Sequence, residues 1–496
     1  MPALASAQVG LRELDAQRFP VPAALKPNVA FWTAVYTARD SHNVLVHDER
    51  YLNVVYAIVD FSRIDASGLS ESQIERQRRR EIRRVRDKYR ALLRDLAAGR
   101  PSPDDRYHQE RIARLFATVP GGREKYLAAV DRIRTQTCLR DRFAEGIERS
   151  GRYLPAMEAI FRQRGLPVEL TRMPFVESLF QTRARSSANA VGIWQFVHST
   201  GRRYLTIGAE FDERYDPLRA TEAAAELLAD NYAALGSWPL AITAYNHGKN
   251  GVARAVRRLQ TRDLGEVVTR YRSRVFGFAS RNFYSEFIAA ATIYENRAYY
   301  FPNTAPVPAL QFEQFVPGSY VSVRALAEAA ATSLATLREL NPALASEVWG
   351  DTLYLPKDYP LRVPAGRSAA FQAAYDAVPE TAKSAHQVGL YYRVRRGDTL
   401  STIARKFATS VGAIQRANGL RSPHRIRQGQ RLLIPPGHTG HGMRTATVIH
   451  VVRRGETLSK IARRYGVAVS AIMAVNNLRS PDRIYVGQRL RVPTRV

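Results

Sequence analysis

Apolar and polar residues along this chain fall first into a helical rhythm and later into a shorter, mixed one. In "IERQRRREIRRVRDKYRALLRDL", the apolar positions Ile74, Ile82, Val85, Tyr89, Leu92 and Leu96 recur at steps of three and four or their multiples. That spacing predicts an amphipathic helix whose other face is charged and solvated. Upstream, "NVAFWTAVYTARDSHNVLVHDERYLNVVYAIVDF" reads as helix and then partly as extended chain. A helix is predicted from Tyr153 to about Arg164, stopped by Gly165 and Pro167, followed by a second short helix running into Pro174. Arg183 to Asn189 has loop composition, and Gly192-Ile-Trp-Gln195-Phe opens a new packed segment. In "DPLRATEAAAELLADNYAALG", Asp216-Pro217 starts a helix and Gly236 stops it. "PLAITAYNHG" is a further helix that brings Tyr245 and Asn246 to its end, just before Gly248.

Near the C-terminus the pattern repeats. "YRVRRGDTLSTIARKFATSVGAIQRANGL" from Tyr392 recurs as "HVVRRGETLSKIARRYGVAVSAIMAVNNL" from His450, an offset of 58. Each copy has a short alternating strand and a Gly-Asp/Glu-Thr-Leu-Ser cap before a helix (Ile403 to Phe407, Ile461 to Tyr465). A second helix follows (Val411 to Ala417, Val469 to Val475), then Asn418 or Asn476 and a closing strand, "RLLIP" or "RLRVP". The result is a compact βααβ unit of about 45 residues. These units resemble the LysM module, which implies binding to polymers that contain N-acetylglucosamine, peptidoglycan among them. A worn third copy, "LAEAAATSLATLRELNP" from Leu326, aligns with Ile403 and Ile461 and keeps the spacing to Asn341, but lacks the Gly-Asp-Thr-Leu start. The stretches Val378 to Val388 and Gly437 to Thr447 read as flexible linkers, being rich in Gly, Thr and Ser without apolar period.

Composition narrows the classes. At 496 residues, with 45% hydrophobic and 24% charged positions, the chain is globular and too long for one core. Its formal charge of +29 attracts polyanions such as nucleic acid, anionic lipid surfaces or acidic wall polymers. No nucleic-acid motif accompanies the charge. The single Cys138 excludes an internal disulfide and reads as a small buried apolar residue. No run approaches the length needed to span a bilayer. "MPALASAQ" looks like the small-residue end of a secretory signal whose apolar part is missing. His47 to Tyr51 holds a His and acids without ligand spacing, and a surface turn is expected there rather than a metal site.

Candidate chemistry centres on "TRMPFVESLFQTRARSSANAVGIWQF", where Glu177 sits in the apolar run Pro174, Phe175, Val176, Leu179 and Phe180. Burial penalises the charged carboxylate, so such a Glu can hold a proton near neutral pH, as a general acid must. Core packing is the reading for Phe196.

Glu177-Ser178, Ser186 nine residues on, "GIWQF" with Gln195 eighteen residues on, and "AYN" at Ala244 to Asn246 resemble the goose-lysozyme-like lytic transglycosylase domain. The resemblance runs from about Arg149 to Arg297. It implies that Glu177 is the sole catalytic acid/base and that Ser186 and Gln195 orient the reacting sugar. It also implies that Tyr245 holds the Glu177 carboxyl and that Asn246 hydrogen-bonds the substrate. Two positions depart from the family. Asn189 stands where glycine is usual, and Asn tolerates a left-handed backbone. Phe283 stands where many relatives carry tyrosine, with Tyr284 beside it.

The expected architecture is multidomain: a mainly α, lysozyme-like catalytic domain followed by small βααβ LysM modules. Expected segments are an N-terminal helical scaffold over 1–148, the catalytic domain over 149–300, and a degenerate LysM-like module over 311–364. A linker over 365–389, a LysM module over 390–436, a linker over 437–447 and a second LysM module over 448–496 complete the chain. The implied activity is peptidoglycan lytic transglycosylation, non-hydrolytic cleavage between N-acetylmuramic acid and N-acetylglucosamine that leaves 1,6-anhydro-muramic acid ends. Neither metal nor organic cofactor is implied. The implied partners are peptidoglycan strands, with other cell-wall proteins and peripheral membrane association as further candidates, and the implied location is the periplasm or cell envelope. Two alternatives stay open. A hydrolytic muramidase on the same fold needs a second carboxylate, for which Asp212, Glu213 and Asp216 are the nearby candidates. A non-catalytic wall-binding protein predicts loss of Glu177 or Gln195, and both are present.

Overall fold

The computed structural model describes residues 11–102, 105–351, 353–388, 390–407, 409–418, 420, 422–434, 446–453, 456–465, 472–473, 476, 484 and 488–494. The chain divides into two compact units, Met1–Val388 and Gly389–Val496.

In the first unit, helix α1 (Lys26–Thr37) buries Phe31, Trp32, Ala34, Val35 and Tyr36. Strands β1 (Asn43–Asp48) and β2 (Val55–Asp60) follow, then helices α2 (Ser62–Asp65), α3 (Glu71–Ala98), α4 (Arg106–Leu115) and α5 (Glu124–Ala129), and strand β3 (Ile133–Thr137). The three strands form an antiparallel sheet in the order β2-β1-β3. Residues 1–148, expected as a helical scaffold with a partly extended stretch, thus combine helices with a three-stranded sheet. The central strand β1 is buried along its whole length, which removes the in/out alternation that marks a half-exposed strand. α3 is the amphipathic helix its spacing predicts, opened by a Ser70–Gln73 capping box and closed by Gly99 at φ 69. It lays Tyr89, Leu92 and Leu93 into a cluster with Val46, Tyr56 and Phe116.

The expectation of a surface turn at His47 is overturned. His47 and Asp48 are fully buried, and the imidazole sits against Phe31 and Phe278. Asp48 accepts from the Arg50 and Tyr51 backbone and from Arg132 Nε at 3.0 Å. Burial drives the His47 pKa down to about 4, so the ring is neutral. Among the described residues no group of three His, Cys, Asp or Glu side chains could hold a metal. Cys138 is buried, as expected.

Helices α6 (Arg140–Ser150), α7 (Leu154–Gln163), α8 (Met173–Glu177) and α9 (His198–Gly201) lead into α10 (Pro217–Leu235) and α11 (Trp238–His247). After them come α12 (Lys249–Leu259), α13 (Leu264–Arg270), α14 (Phe278–Glu295) and α15 (Arg297–Tyr300). α10 has the predicted ends: Asp216 accepts from the backbone N–H of Leu218 and Arg219, and Gly236 takes φ 73. α14 is buried over most of its length and packs against α1, α8 and α11. Phe31, Trp32 and Tyr36 of α1 share one core with Phe175, Trp194 and Phe287. The N-terminal region thus forms part of this core rather than merely surrounding it.

Next come β4 (Phe312–Phe315), β5 (Tyr320–Val321), α16 (Val323–Ala329), α17 (Leu334–Leu340), α18 (Ser346–Trp349) and β6 (Leu361–Pro364), with β4 and β6 paired antiparallel. Asn341 donates to Leu337 O and Arg362 O and accepts from Arg362 N, tying the second helix to the closing strand. This module is docked against the start of α10: Arg362 pairs with Asp216 at 2.8 Å, and Asp212 N donates to Ala343 O. The adjoining segment, expected to be a linker over 365–389, carries α19 (Ser368–Ala377) and β7 (Lys383–Ser384), which pairs with β5. Phe371, Ala374 and Val378, three and four residues apart, are buried and supply the apolar face of this helix.

In the second unit, β8 (Leu390–Arg393), α20 (Leu400–Lys406), α21 (Val411–Ala417) and β9 (Arg431–Ile434) form the expected βααβ module, β8 pairing with β9. Thr399 caps α20, and Asn418 repeats the Asn341 arrangement, donating to Ile414 O and Leu433 O and accepting from Leu433 N. The last module has β10 (Ala446–Val451), α22 (Leu458–Arg464) and β11 (Arg489–Thr494), with β10 and β11 paired. Its expected second helix lies mostly outside the described residues, as do 437–445 of the expected linker; Ala446 and Thr447 already belong to β10.

Candidate active site

Glu177 is the last residue of α8. Pro174 pre-sets the first turn of this short helix. The helix cannot continue, because Ser178 leaves the helical region and Leu179 and Phe180 take φ 51 and 59. Two successive non-glycine residues in the left-handed region are strained, and the surroundings hold them there. Arg149 Nε donates to Leu179 O at 3.0 Å, and Phe180 is buried edge-on against Phe175. The Ser178 hydroxyl donates to Ile193 O at 2.9 Å and so ties the carboxylate's neighbour to the Gly192–Phe196 turn.

That turn is equally constrained. Gly192 has φ 77, and a Cβ there would fall on the Arg214 carbonyl oxygen. Gln195, at φ 50, donates its side-chain amide to Gly192 O at 2.8 Å and leaves its amide oxygen for a ligand. Trp194 is fully buried, stacked on Phe161, with its indole N–H on Thr221 Oγ1 at 2.8 Å. Phe196 is buried too, as its core reading expects. The Ser186 hydroxyl accepts from Ala190 N at 3.1 Å, which closes the 186–190 loop and leaves the hydroxyl hydrogen available. Asn189 takes φ 59, the left-handed conformation expected of it, and its side-chain oxygen is held by Arg185.

From α11, Tyr245 reaches the same turn. Its hydroxyl donates to Trp194 O at 2.8 Å, which commits its hydrogen to that carbonyl and leaves the phenol oxygen able to accept. The Glu177 charge nevertheless adds to burial in raising the Tyr245 pKa, so the two groups are close. Asn246 is exposed; its side-chain oxygen accepts from Ser280 Oγ at 3.0 Å, which turns its NH2 outward.

Glu177 is half-buried, and protein surrounds its carboxyl closely enough that lost hydration pushes its pKa up to about 8. The negative charge of Glu286 adds to that rise. A carboxyl in this state carries a proton at neutral pH, the condition an acid catalyst requires.

Residues 156–267 match the Transglycosylase SLT domain family, and 392–435 and 450–493 match the LysM domain family. The chain is 30% identical over 344 residues to membrane-bound lytic murein transglycosylase D of Escherichia coli strain K12, covering 65% of this chain and 73% of that protein. The chain belongs to the lytic murein transglycosylase family. The transglycosylase is also 35% identical over 127 residues to an autolysin of Enterococcus faecalis, which covers 23% of this chain and 17% of that one. Against the solved lytic transglycosylase Slt from Pseudomonas aeruginosa it shows 18% identity and a TM-score of 0.26, covering 51% of this chain and 39% of that one.

Within the transglycosylase, the three carboxylates considered for a hydrolytic route are all otherwise engaged. Asp212 pairs with Arg214 at 2.7 Å, Glu213 with Arg219 at 3.0 Å, and Asp216 caps α10 and pairs with Arg362. None of them is among the groups acting on Glu177. Sequence reasoning missed Glu286, Tyr36 and Ser280, which come from α14, α1 and α14 respectively. Their positions depend on packing between distant segments, so spacing carried no signal. Tyr284 is turned away from the acid: its hydroxyl donates to Pro20 O.

Proposed function

We propose that Glu177 is the one residue that both gives and takes the proton in peptidoglycan cleavage by this enzyme. The enzyme is a peptidoglycan lytic transglycosylase, a lyase of the cell envelope. Protonated Glu177 gives its hydrogen to the glycosidic oxygen as the bond to carbon 1 of N-acetylmuramic acid breaks. The carboxylate left behind takes the proton from the hydroxyl on carbon 6 of the same sugar, whose oxygen bonds to carbon 1 and closes a 1,6-anhydro ring. The same proton count is restored on Glu177, and no water has to be positioned.

The observation that carries this reading is a carboxyl held protonated near pH 7 by burial, with no cation among the groups acting on it. Ser186, Gln195 and Asn246 each keep a polar atom free for the sugar. Tyr245 can accept from the protonated carboxyl while its own hydrogen stays on Trp194 O, which would orient the acid. The LysM modules hold the enzyme on glycan, and the periplasm is the compartment where the substrate lies. The 311–364 module, fastened by the Arg362–Asp216 pair, serves as a brace for the catalytic helices.

Glu177→Gln tests the assignment. The amide can neither give nor take the proton, so turnover on sacculi falls by about 10²- to 10⁴-fold with the fold intact by circular dichroism. A variant that keeps a tenth of wild-type turnover places the acid elsewhere.

A further inference from the structure

His247, the last residue of α11, lies one residue beyond the Ala244–Asn246 motif. Its imidazole is closely fitted. It meets the ring of Phe276 edge-on, with centroids 4.9 Å apart and planes at 87°. On another side lies Gly251, in the first turn of α12. A Cβ there would lie 2.5 Å from His247 Cδ2 and Nε2, so the absence of a side chain at 251 makes the room for the ring. His247 Nδ1 is 3.1 Å from the hydroxyl oxygen of Ser280, in the first turn of α14, and that oxygen is 3.0 Å from Asn246 Oδ1. Ser280 is buried and Asn246 is exposed. The end of α11 and the start of α14, which pack together, thus carry one hydrogen-bonded chain of three side chains that finishes at an exposed amide.

The polarity of this chain follows from counting hydrogens. An amide oxygen only accepts, so the one hydrogen of the Ser280 hydroxyl goes to Asn246. Ser280 Oγ then has only lone pairs to offer, and His247 must carry its hydrogen on Nδ1. Burial, and after it the charge of Arg254 on α12, lowers the His247 pKa. The ring is therefore neutral at neutral pH, and its tautomer is set by the hydrogen bond it makes. The opposite polarity would turn the Asn246 amide over. Its NH2 would then donate to Ser280, Ser280 would donate to Nδ1, and the amide oxygen would face outward.

Resting on the reading of Asn246 as a sugar contact, we propose that His247 and Ser280 are positioning residues that hold the Asn246 amide with its NH2 toward the glycan. The site then recognises, at this point, a group that can only accept a hydrogen bond. On a glycan built of N-acetylated sugars, the N-acetyl carbonyl oxygen is such a group. A sugar hydroxyl could rotate to suit either end of the amide, so a fixed donor gains nothing from it. Without the chain the two ends of the amide are nearly equal in shape, and part of the enzyme would meet the carbonyl with the wrong atom. Neither His247 nor Ser280 touches the reacting atoms.

The test is KM read against kcat on soluble peptidoglycan strands. In His247→Asp the carboxylate can only accept, so Ser280 must donate to it and the Asn246 amide turns over. KM then rises about tenfold, as for one mismatched hydrogen bond, with kcat near wild type. In His247→Asn the new amide nitrogen still donates to Ser280, which restores a KM close to wild type. Ser280→Ala breaks the chain and raises KM comparably. Adding His247→Asp to Ser280→Ala raises it no further, because the effect of residue 247 passes through the hydroxyl. Where His247→Asp does not fold, His247→Ala takes its place with the same expectations. A wild-type KM in His247→Asp overturns the proposal, and so does an equal rise in His247→Asn. A further rise on adding His247→Asp to Ser280→Ala also overturns it, since the imidazole would then bind the sugar itself. Asn246→Ala tests the underlying reading separately. A wild-type KM there removes Asn246 from the sugar and the proposal with it, whereas a raised KM there with an unmoved His247→Asp overturns the role of His247 and Ser280 alone.

Discussion

Tyr245 gives its hydroxyl hydrogen to the backbone carbonyl of Trp194, 2.8 Å away. This bond joins the end of α11 to the turn that carries Gln195, and Ser178 makes the matching bond from the end of α8 to Ile193 O. Three separate stretches of sequence thereby meet around one carboxyl. The site is assembled from helix ends and tight turns, whose conformations are fixed by backbone contacts before any substrate arrives.

Gly192→Ala should damage the enzyme out of proportion to one methyl group. The added Cβ meets the Arg214 carbonyl oxygen, and the position requires φ 77. A loss of about 2 kcal/mol or more is expected in denaturant unfolding, from backbone strain and forced displacement, together with loss of turnover because Gln195 is displaced. Wild-type stability would show that the turn has room to shift.

Raised carboxyl pKa values also make the fold itself pH-dependent. Glu177 has an ordinary value of 4.5 and a folded value of about 8, and Glu286 the same. The folded state thus binds these protons more tightly than the unfolded chain. Their contribution is fully present below the unfolded value and is lost as pH rises through about 8. Glu177→Gln, which has no charge to bury, should therefore gain in Tm relative to wild type between pH 5 and pH 8. A difference in Tm that stays constant across this range contradicts the buried, protonated carboxyl.

Much of this could be read in the chain beforehand, and the reasons differ by element. α3, α7 and α10 carry their apolar spacing, caps and stop glycines locally, so their ends were predictable. The Glu177, Ser186, Gln195 and Asn246 positions lie in short motifs of fixed spacing. Glu286 and Tyr36 were not legible because only the packing of α1, α8 and α14 brings them to the acid. β1 hid its strand character by being buried on both faces. α19 hid in a stretch of alanines whose apolar face appears only once Phe371 and Phe315 are seen together, 6.1 Å apart.

Removing residues 389–496, one compact unit with both LysM matches, should weaken binding to insoluble sacculi while leaving cleavage of short soluble strands close to wild type. A tether raises the effective concentration of the catalytic unit on a polymer but adds nothing on a small substrate. Equal loss on both substrates would make the modules part of the catalytic fold. By contrast, the 311–364 module bonds to the catalytic helices through Arg362–Asp216 and Asp212–Ala343, so extending the deletion through it should abolish folding.

The central claim is that one carboxyl serves as acid and then base without water, and the product records this directly. Digestion of purified sacculi in ¹⁸O-labelled water, followed by mass analysis of the released muropeptides, reads the new sugar ends. The account predicts 1,6-anhydro-muramic acid, lighter by one water than a reducing end and free of label, because the attacking oxygen comes from the sugar's own carbon 6. Labelled reducing ends as the main product would contradict it: a water would then have to be held by a second carboxylate on the opposite face of the ring.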